Sequence, residues 1–284
     1  MTGITVSPAL TRLDLSSDAP SFTLTYTNST DHPLQLTFSA KDFTSLEEGW
    51  RIKFLDEKDS TNYRYSLSSW LEFSPSTMLL KPEVSQSLQV YVREKSLSAG
   101  GHYASVIADI TTAPPDPQAI AIKSQLVSLV FVRASTGFER EEARIAGFSA
   151  ASTNSFSLPQ NYELRFDNSG NTELIPHGIV IVRDFFNREV SRGIINIDSL
   201  ITLPESIRRY DIPITIRSES WLLPGPYQAS LTINYGTNQS LTSHIQFLTM
   251  ADIKNLYLIL FFFLLIPIIL VFLKRFPRRR HLRP

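Results

Sequence analysis

The sequence predicts an all-β protein: two tandem immunoglobulin-like antiparallel β-sandwiches followed by one C-terminal transmembrane helix. Three observations carry this. Strand-like alternation recurs in matched pairs along the chain, helical periodicity is almost absent before residue 250, and one stretch near the C-terminus is apolar without a break.

The first matched pair lies in the early part of each half. Phe22, Leu24 and Tyr26 alternate with threonines and end at Asn28-Ser29. Tyr162, Leu164 and Phe166 alternate with Glu163, Arg165 and Asp167 and end at Asn168-Ser169, at a constant offset of 140. Period two with one apolar side is a half-buried strand. Each run meets an Asn/Ser turn, and a second apolar run follows: Leu34, Leu36 and Phe38, or Ile179 and Ile181.

Further on, Pro82-Glu83 matches Pro204-Glu205 at offset 122, and the strand entries at Tyr103 and Tyr227 match at offset 124. From Tyr227 to Tyr235 the apolar residues fall on every second position. The strand after Tyr103 is apolar on both sides, through Ala104, Val106, Ile107 and Ala108, and reads as more central. A tyrosine opening a late strand is similar to the tyrosine corner of such sandwiches, here without their Cys and Trp markers. The boundary falls near Arg133–Glu141, which divides the body into sandwiches at 1–136 and 137–250. Pro-rich residues 111–119 read as a loop joining the last two strands of the first sandwich.

Leu256–Leu273 holds 18 residues without a charge. As a helix rising ~1.5 Å per residue it extends about 27 Å, close to a bilayer's hydrocarbon core. Pro267 is tolerated in such a helix. Six Lys or Arg follow in the tail at 274–284, against Asp252 and Lys254 before it. The positive-inside rule then predicts a single-pass protein of the cell membrane, with an extracellular body and a cytoplasmic tail. The rival, a tail anchor with a cytoplasmic body, puts six basic residues outside. "MTGITVSPAL" has neither a basic n-region nor an apolar h-region, so the export signal of an outside body is expected upstream or already removed.

Composition excludes several classes of function. The chain is neutral overall, but with six bases in the tail the remainder carries about −6. A mildly acidic body predicts no nucleic-acid partner. There is no cysteine, which removes disulfides, thiolate zinc sites and thiol catalysis. The five histidines, His32, His102, His177, His244 and His281, show no metal-ligand spacing. Neither a GxSxG elbow nor a phosphate-cradling glycine loop is present.

In "DNSGNTE", Asp167, Ser169, Asn171 and Glu173 occupy odd positions as in a calcium loop. Gly178 stands where the bidentate glutamate belongs, and the matching "TNSTDHP" is a plain turn. The sequons at Asn28 and Asn238 read as turns as well. No catalytic residue, metal or cofactor is expected, and the chain is not expected to be an enzyme.

The copies differ in length between Phe38 and Leu80. The offset falls from 140 to 122, placing 18 extra residues there in the first copy. A connection of that length in a compact domain is functional or disordered. The stretch Ser45–Tyr65 contains Trp50, Tyr63 and Tyr65 beside Arg51 and Lys53, and aromatic faces with charged neighbours grip glycans or partner strands. These five are the candidate binding residues. The structural alternative is an extra hairpin, residues 50–55 against 63–67, with its aromatics packed on the core.

Four stretches together, "ITVSPALTRLDL", "TYTNSTDHPLQLTFSAKDF", "SSWLEFSPSTMLLKPEVSQSLQVYV" and "SAGGHYASVIADI", resemble the peptidoglycan-binding domain of WxL-interacting proteins of Gram-positive surfaces. The layout is similar too: two immunoglobulin-like domains, one membrane helix and a basic tail. The resemblance implies a non-catalytic, membrane-tethered scaffold that contacts peptidoglycan or another envelope glycan and a surface protein partner. A second reading is an accessory or docking module of a membrane-anchored surface, pilus or secretion assembly, its sandwiches serving as spacers or docking edges.

Overall fold

The computed structural model describes residues 3–15, 20–49, 51–93, 97–112, 123–151, 157–216, 222–249 and 253–275. Their order begins with β1 (Ile4–Ser7), β2 (Leu10–Asp14), β3 (Ser21–Asn28), β4 (Leu34–Ser45) and β5 (Ile52–Phe54). A helical turn α1 (Glu57–Thr61) and a 3₁₀ turn (Ser68–Trp70) follow. Then come β6 (Leu71–Ser74), β7 (Thr77–Leu80), β8 (Val84–Val92), β9 (Gly100–Thr112) and β10 (Lys123–Ala134). One sheet runs β1-β3-β8-β6, and the other runs β2-β10-β9-β4-β5 with β7 also on β4.

The alternation read from sequence is the reason these sheets face each other. Phe22, Leu24 and Tyr26 of β3 and Leu88, Val90 and Val92 of β8 are buried, and so are Leu34, Leu36 and Phe38 of β4. Val106, Ala108 and Ile110 of β9 meet them in the same core. Ile107 on the opposite face of β9 is buried as well, as expected of a central strand.

The rest of the body forms β11 (Ala143–Ala150), β12 (Asn161–Asn168), β13 (His177–Asp184), β14 (Glu189–Ile195), β15 (Ser206–Ile216), β16 (Gly225–Tyr235) and β17 (Gln239–Thr249). They hydrogen-bond in the order β11-β12-β15-β14-β13-β16-β17. Phe166 of β12 meets Tyr235 of β16 edge-on at 5.8 Å although the strands are not neighbours. The sheet therefore folds over, and its two arms bury Tyr162, Leu164 and Phe166 with Tyr227, Leu231 and Ile233. The protein is all-β, with two sandwich domains.

The repeat survives to single hydrogen bonds. Asn28 is fully buried; its amide donates to the carbonyls of His32 (2.9 Å) and Leu80 (3.2 Å), and its oxygen accepts from the Thr30 N–H (2.9 Å). Asn168 donates to Thr172 (2.7 Å) and Thr202 (3.0 Å) and accepts from the Gly170 N–H (3.0 Å). The matched glutamates agree also: Glu83 and Glu205 are both left-handed, at φ 56° and 53°. Burial with a full set of partners gives Asn28 its place as a turn residue.

Contacts divide the chain into two compact units, and the division does not follow one cut. The first gathers Met1–Arg144, Asp167–Leu174 and Ile201–Arg208; the second gathers Ile145–Phe166, Ile175–Leu200 and Arg209–Pro284. Residues 113–119 of the Pro-rich loop lie outside the described residues.

A helix α2 does form, over Ile253–Arg275 with Pro267 inside it. Among the described residues, however, no helix is long and apolar enough to cross a membrane. The expected span at Leu256–Leu273 is corrected accordingly. Membrane attachment, single-pass localisation and the assignment of sides fall with it. Residues 276–284 of the basic tail lie outside the described residues.

Candidate functional site

The extra segment of the first copy starts where β4 outruns the main core. β4 pairs with β7 over Leu34–Thr37 and with β5 over Phe43–Ser45. The segment is thus a hairpin extension of β4 followed by a helical turn, and β5 pairs with β4, not with residues 63–67 as the structural alternative had it. Alternation sends Asp42 and Phe43 to opposite faces, and both are fully buried.

On one face, Asp42 collects the returning chain. Its Oδ1 accepts the N–H groups of Leu67 and Ser68, both at 2.7 Å. Its Oδ2 accepts the hydroxyls of Ser66 (2.7 Å), Ser68 (2.9 Å) and Ser60. Five donors surround the carboxylate, so it anchors the returning chain. His102 is clamped beside it. Its Nδ1 lies 3.0 Å from the Ser66 carbonyl and its Nε2 2.9 Å from the Ser98 carbonyl. Around this anchor lies a cleft of about 1030 Å³, lined by Lys41, Asp56, Glu57, Tyr63, Arg64 and Trp70 among others.

On the other face, Phe43 joins a second core with Tyr65, Tyr103, Phe131 and Leu203. Tyr103 and Phe131 meet edge-on at 5.1 Å, and Tyr63 and Tyr65 at 5.6 Å. Tyr65 donates its hydroxyl to Glu205 (2.8 Å), and Tyr103 donates to Glu173 (2.9 Å). Burial, and then the carboxylate next to each, pushes both phenols up, so they stay protonated donors. Gly101 makes room for this arrangement, because a Cβ there would collide with the Tyr103 hydroxyl.

Four of the five residues expected to bind lie among the described residues. Trp50 lies outside the described residues. Arg51 is exposed and reaches Glu47 at 3.4 Å, while Lys53 stands 3.9 Å from Asp59. Tyr63 lines the cleft, half-buried, and burial pushes its hydroxyl up to about 12. Tyr65 is buried in the aromatic core. The structure brings Tyr63 and Tyr65 together and leaves Arg51 and Lys53 on the surface beside their acidic partners. Asp42 and His102 were missed, because a lone acid or imidazole in a strand reads as solvated charge.

Three of the side-chain oxygens of the "DNSGNTE" turn are engaged elsewhere. Asp167 accepts from Arg144 (2.5 Å), Asn171 from the Arg140 N–H (2.6 Å) and Glu173 from Tyr103. Among the described residues no three His, Cys, Asp or Glu are grouped to hold a metal ion.

A second feature involves backbone alone. β10 pairs with β9 along its whole length, from Lys123↔Thr111 to Ala134↔Gly100. On its other side β2 covers only Leu129–Arg133, in parallel. Next to this, Leu129 donates to the Ala9 carbonyl (2.9 Å) and the Ser128 hydroxyl to Pro8 (2.8 Å). Lys123–Val127 therefore presents an edge that no described strand pairs, with Leu126 packed against the main core beneath it.

No protein-family model and no curated protein matches the chain. Solved structures are similar to it in layout. One is a chaperone–tip adhesin complex of CFA/I fimbriae biogenesis, at 13% identity and TM-score 0.47, covering 87% of this chain and 98% of that one. Another is the class 5 fimbriae chaperone CfaA, at 11% and 0.43, covering 87% and 99%. A third is the Salmonella enterica SafB chaperone with SafA pilin, at 9% and 0.42, covering 86% and 96%. At these values the likeness carries no argument about what this chain does.

The resemblance to WxL-interacting proteins is corrected here, since no family model matches the chain. Its implications, a membrane-tethered wall scaffold and a peptidoglycan or envelope-glycan partner, are withdrawn.

Proposed function

We propose that the chain is a non-catalytic protein-binding module that takes up an extended segment of a partner protein by strand addition at Lys123–Val127 of β10. The open edge supports this reading most directly, because main-chain donors and acceptors there lack a strand partner while the strand is held rigidly by β9 on its other side. Buried polar groups near the cleft support the non-catalytic part: Asp42 and His102 are consumed by holding the fold together. A pilin or tip adhesin, as named for the similar structures, is a partner of this kind; the support here is the edge itself.

Each sandwich is read as immunoglobulin-like. In the second, Tyr227 donates to the Leu223 carbonyl at 2.6 Å, four residues back, as a tyrosine corner does. The exposed insertion, with Arg51 before β5, Lys53 on it and Tyr63 in the cleft, is proposed as a second contact for the same partner.

The test places a photoreactive residue at Gln125 in the full chain, in the cells that make it, with a control at exposed Thr232 on a strand paired on both sides. A discrete protein adduct from position 125, absent from position 232 and abolished by Val127→Pro, whose N–H is on the open side, in a folded chain, is the expected result. Equal adducts at both positions, or none at 125, refute strand addition here.

A further inference from the structure

The inner face of β17 ends one strand too soon. Register places Phe247, Ile245, Ser243 and Leu241 beside Tyr227, Ala229, Leu231 and Ile233 of β16, on the same face of the sheet. The β16 residues of this row are buried. Leu241, Ile245 and Phe247 are only half-buried, although Phe247 stacks on Tyr227 at 6.0 Å. The apolar layer thus reaches the end of the sheet and is left half-covered, and the shape that completes it is another strand.

β17 also lacks the devices that keep the other sheet ends apart. β1 has four residues. β2 carries Arg12 and Asp14, β5 Lys53, β6 Glu72 and β11 Arg144. Short length and edge charges suppress pairing with other chains. β17 has 11 residues, with no Asp, Glu, Lys, Arg or Pro among them, and no described strand pairs with its outer edge.

We propose that the outer edge of β17 is a self-association surface, whose occupant is β17 of a second copy, antiparallel about a two-fold axis. An isologous contact brings each side chain against the same strand reversed, so any like charge would repel its equivalent; this strand has no Asp, Glu, Lys or Arg. The register with His244 opposite His244 sets Leu241 against Phe247 on the inner face of both copies. On the outer face it sets Thr242 against Gln246. That pair already occurs in this protein, where Thr23 of β3 donates to Gln89 of β8 at 2.7 Å across paired strands. The two seven-stranded sheets then join into one, and the half-covered row in each is completed by the other.

The test follows the mass of the full chain by sedimentation over rising concentration. Wild type reaches twice the monomer mass. Thr242→Lys with Gln246→Lys, and separately Thr242→Glu with Gln246→Glu, place like charges opposite each other twice and weaken association by roughly tenfold or more. Mixing the two variants restores it. Both sites point outward and are exposed, so the core is untouched. Should a charged variant fail to unfold cooperatively, Thr242→Cys with Gln246→Cys decides instead. In a chain without cysteine, directly opposed positions oxidise to a disulfide between copies. A wild type that stays monomeric overturns the proposal, as does a charged variant that associates like wild type. A mixture that stays monomeric or a cysteine variant that forms no intermolecular disulfide does the same.

Discussion

Asn28 and Asn168, 140 residues apart, hold their turns by the same pattern: i+4 carbonyl, i+2 N–H, and the carbonyl of a distant residue, Leu80 or Thr202. Alanine at either position leaves buried carbonyls without a donor. Each substitution is expected to cost about 2 kcal/mol, read by denaturant unfolding. The two losses should add, because the sites share no partner. A loss below ~0.5 kcal/mol at both positions would show that water replaces the amide without cost.

Asp42→Ala is expected to destabilise the first unit by about 3 kcal/mol, since five donors lose one charged acceptor. Amide exchange should accelerate first at Leu67 and Ser68, before the strands of the main core. Uniform acceleration throughout β3 and β8 would argue that Asp42 supports the whole sandwich and not the insertion alone.

Burial by itself pushes the Asp184 carboxyl up. The N–H and guanidinium of Arg188, with the Phe186 N–H, outweigh burial and hold the group below the usual carboxylate range. Since its folded pKa is depressed, its contribution is present above the unfolded value of ~4 and is lost as pH falls through the folded one. Thermal melts between pH 2 and 5 should therefore be less pH-dependent in Asp184→Asn than in wild type. Parallel curves would remove Asp184 from the account of acid lability.

The independence of residues 1–136 is itself a prediction. All buried residues of the main core fall within that fragment, from Phe22 to Ala134, whereas the aromatic core includes Leu203 and Ile201. The fragment should be β-rich and unfold cooperatively, but at a lower temperature than the full chain. In the full chain, Leu203→Ala should cost ~2–4 kcal/mol by the lost apolar contact and the cavity left behind. A fragment without a cooperative transition would place the boundary elsewhere.

Much of the fold was legible in short-range pattern. Phe22, Leu24 and Tyr26, and Tyr162, Leu164 and Phe166, were read as buried faces from alternation alone, and all six are inside. The matched turns were legible because a buried Asn needs the same local partners in both copies. The site was less so. Asp42 is defined by donors up to 26 residues away, and Tyr65 by Glu205 at a separation of 140, which no local window contains. The free half of β10 depends on where β2 stops, a matter of pairing rather than residue type. The membrane and wall readings came from an apolar run and a family resemblance. Neither needed a three-dimensional partner to be persuasive, and both were corrected.

Because the first unit includes Asp167–Leu174 and Ile201–Arg208, it cannot be finished when residue 144 leaves the ribosome. At ~5–20 residues per second, about 3–13 s pass before residue 208 is made. During that interval Tyr65 has no Glu205 to receive its hydroxyl, Tyr103 has no Glu173 until residue 173 is made, and Phe43 and Phe131 lack Leu203 in their cluster. The nascent chain thus exposes an aromatic patch whose cover is encoded downstream. A stall or truncation between residues 144 and 200 would release a species with a completed main core and a sticky flank.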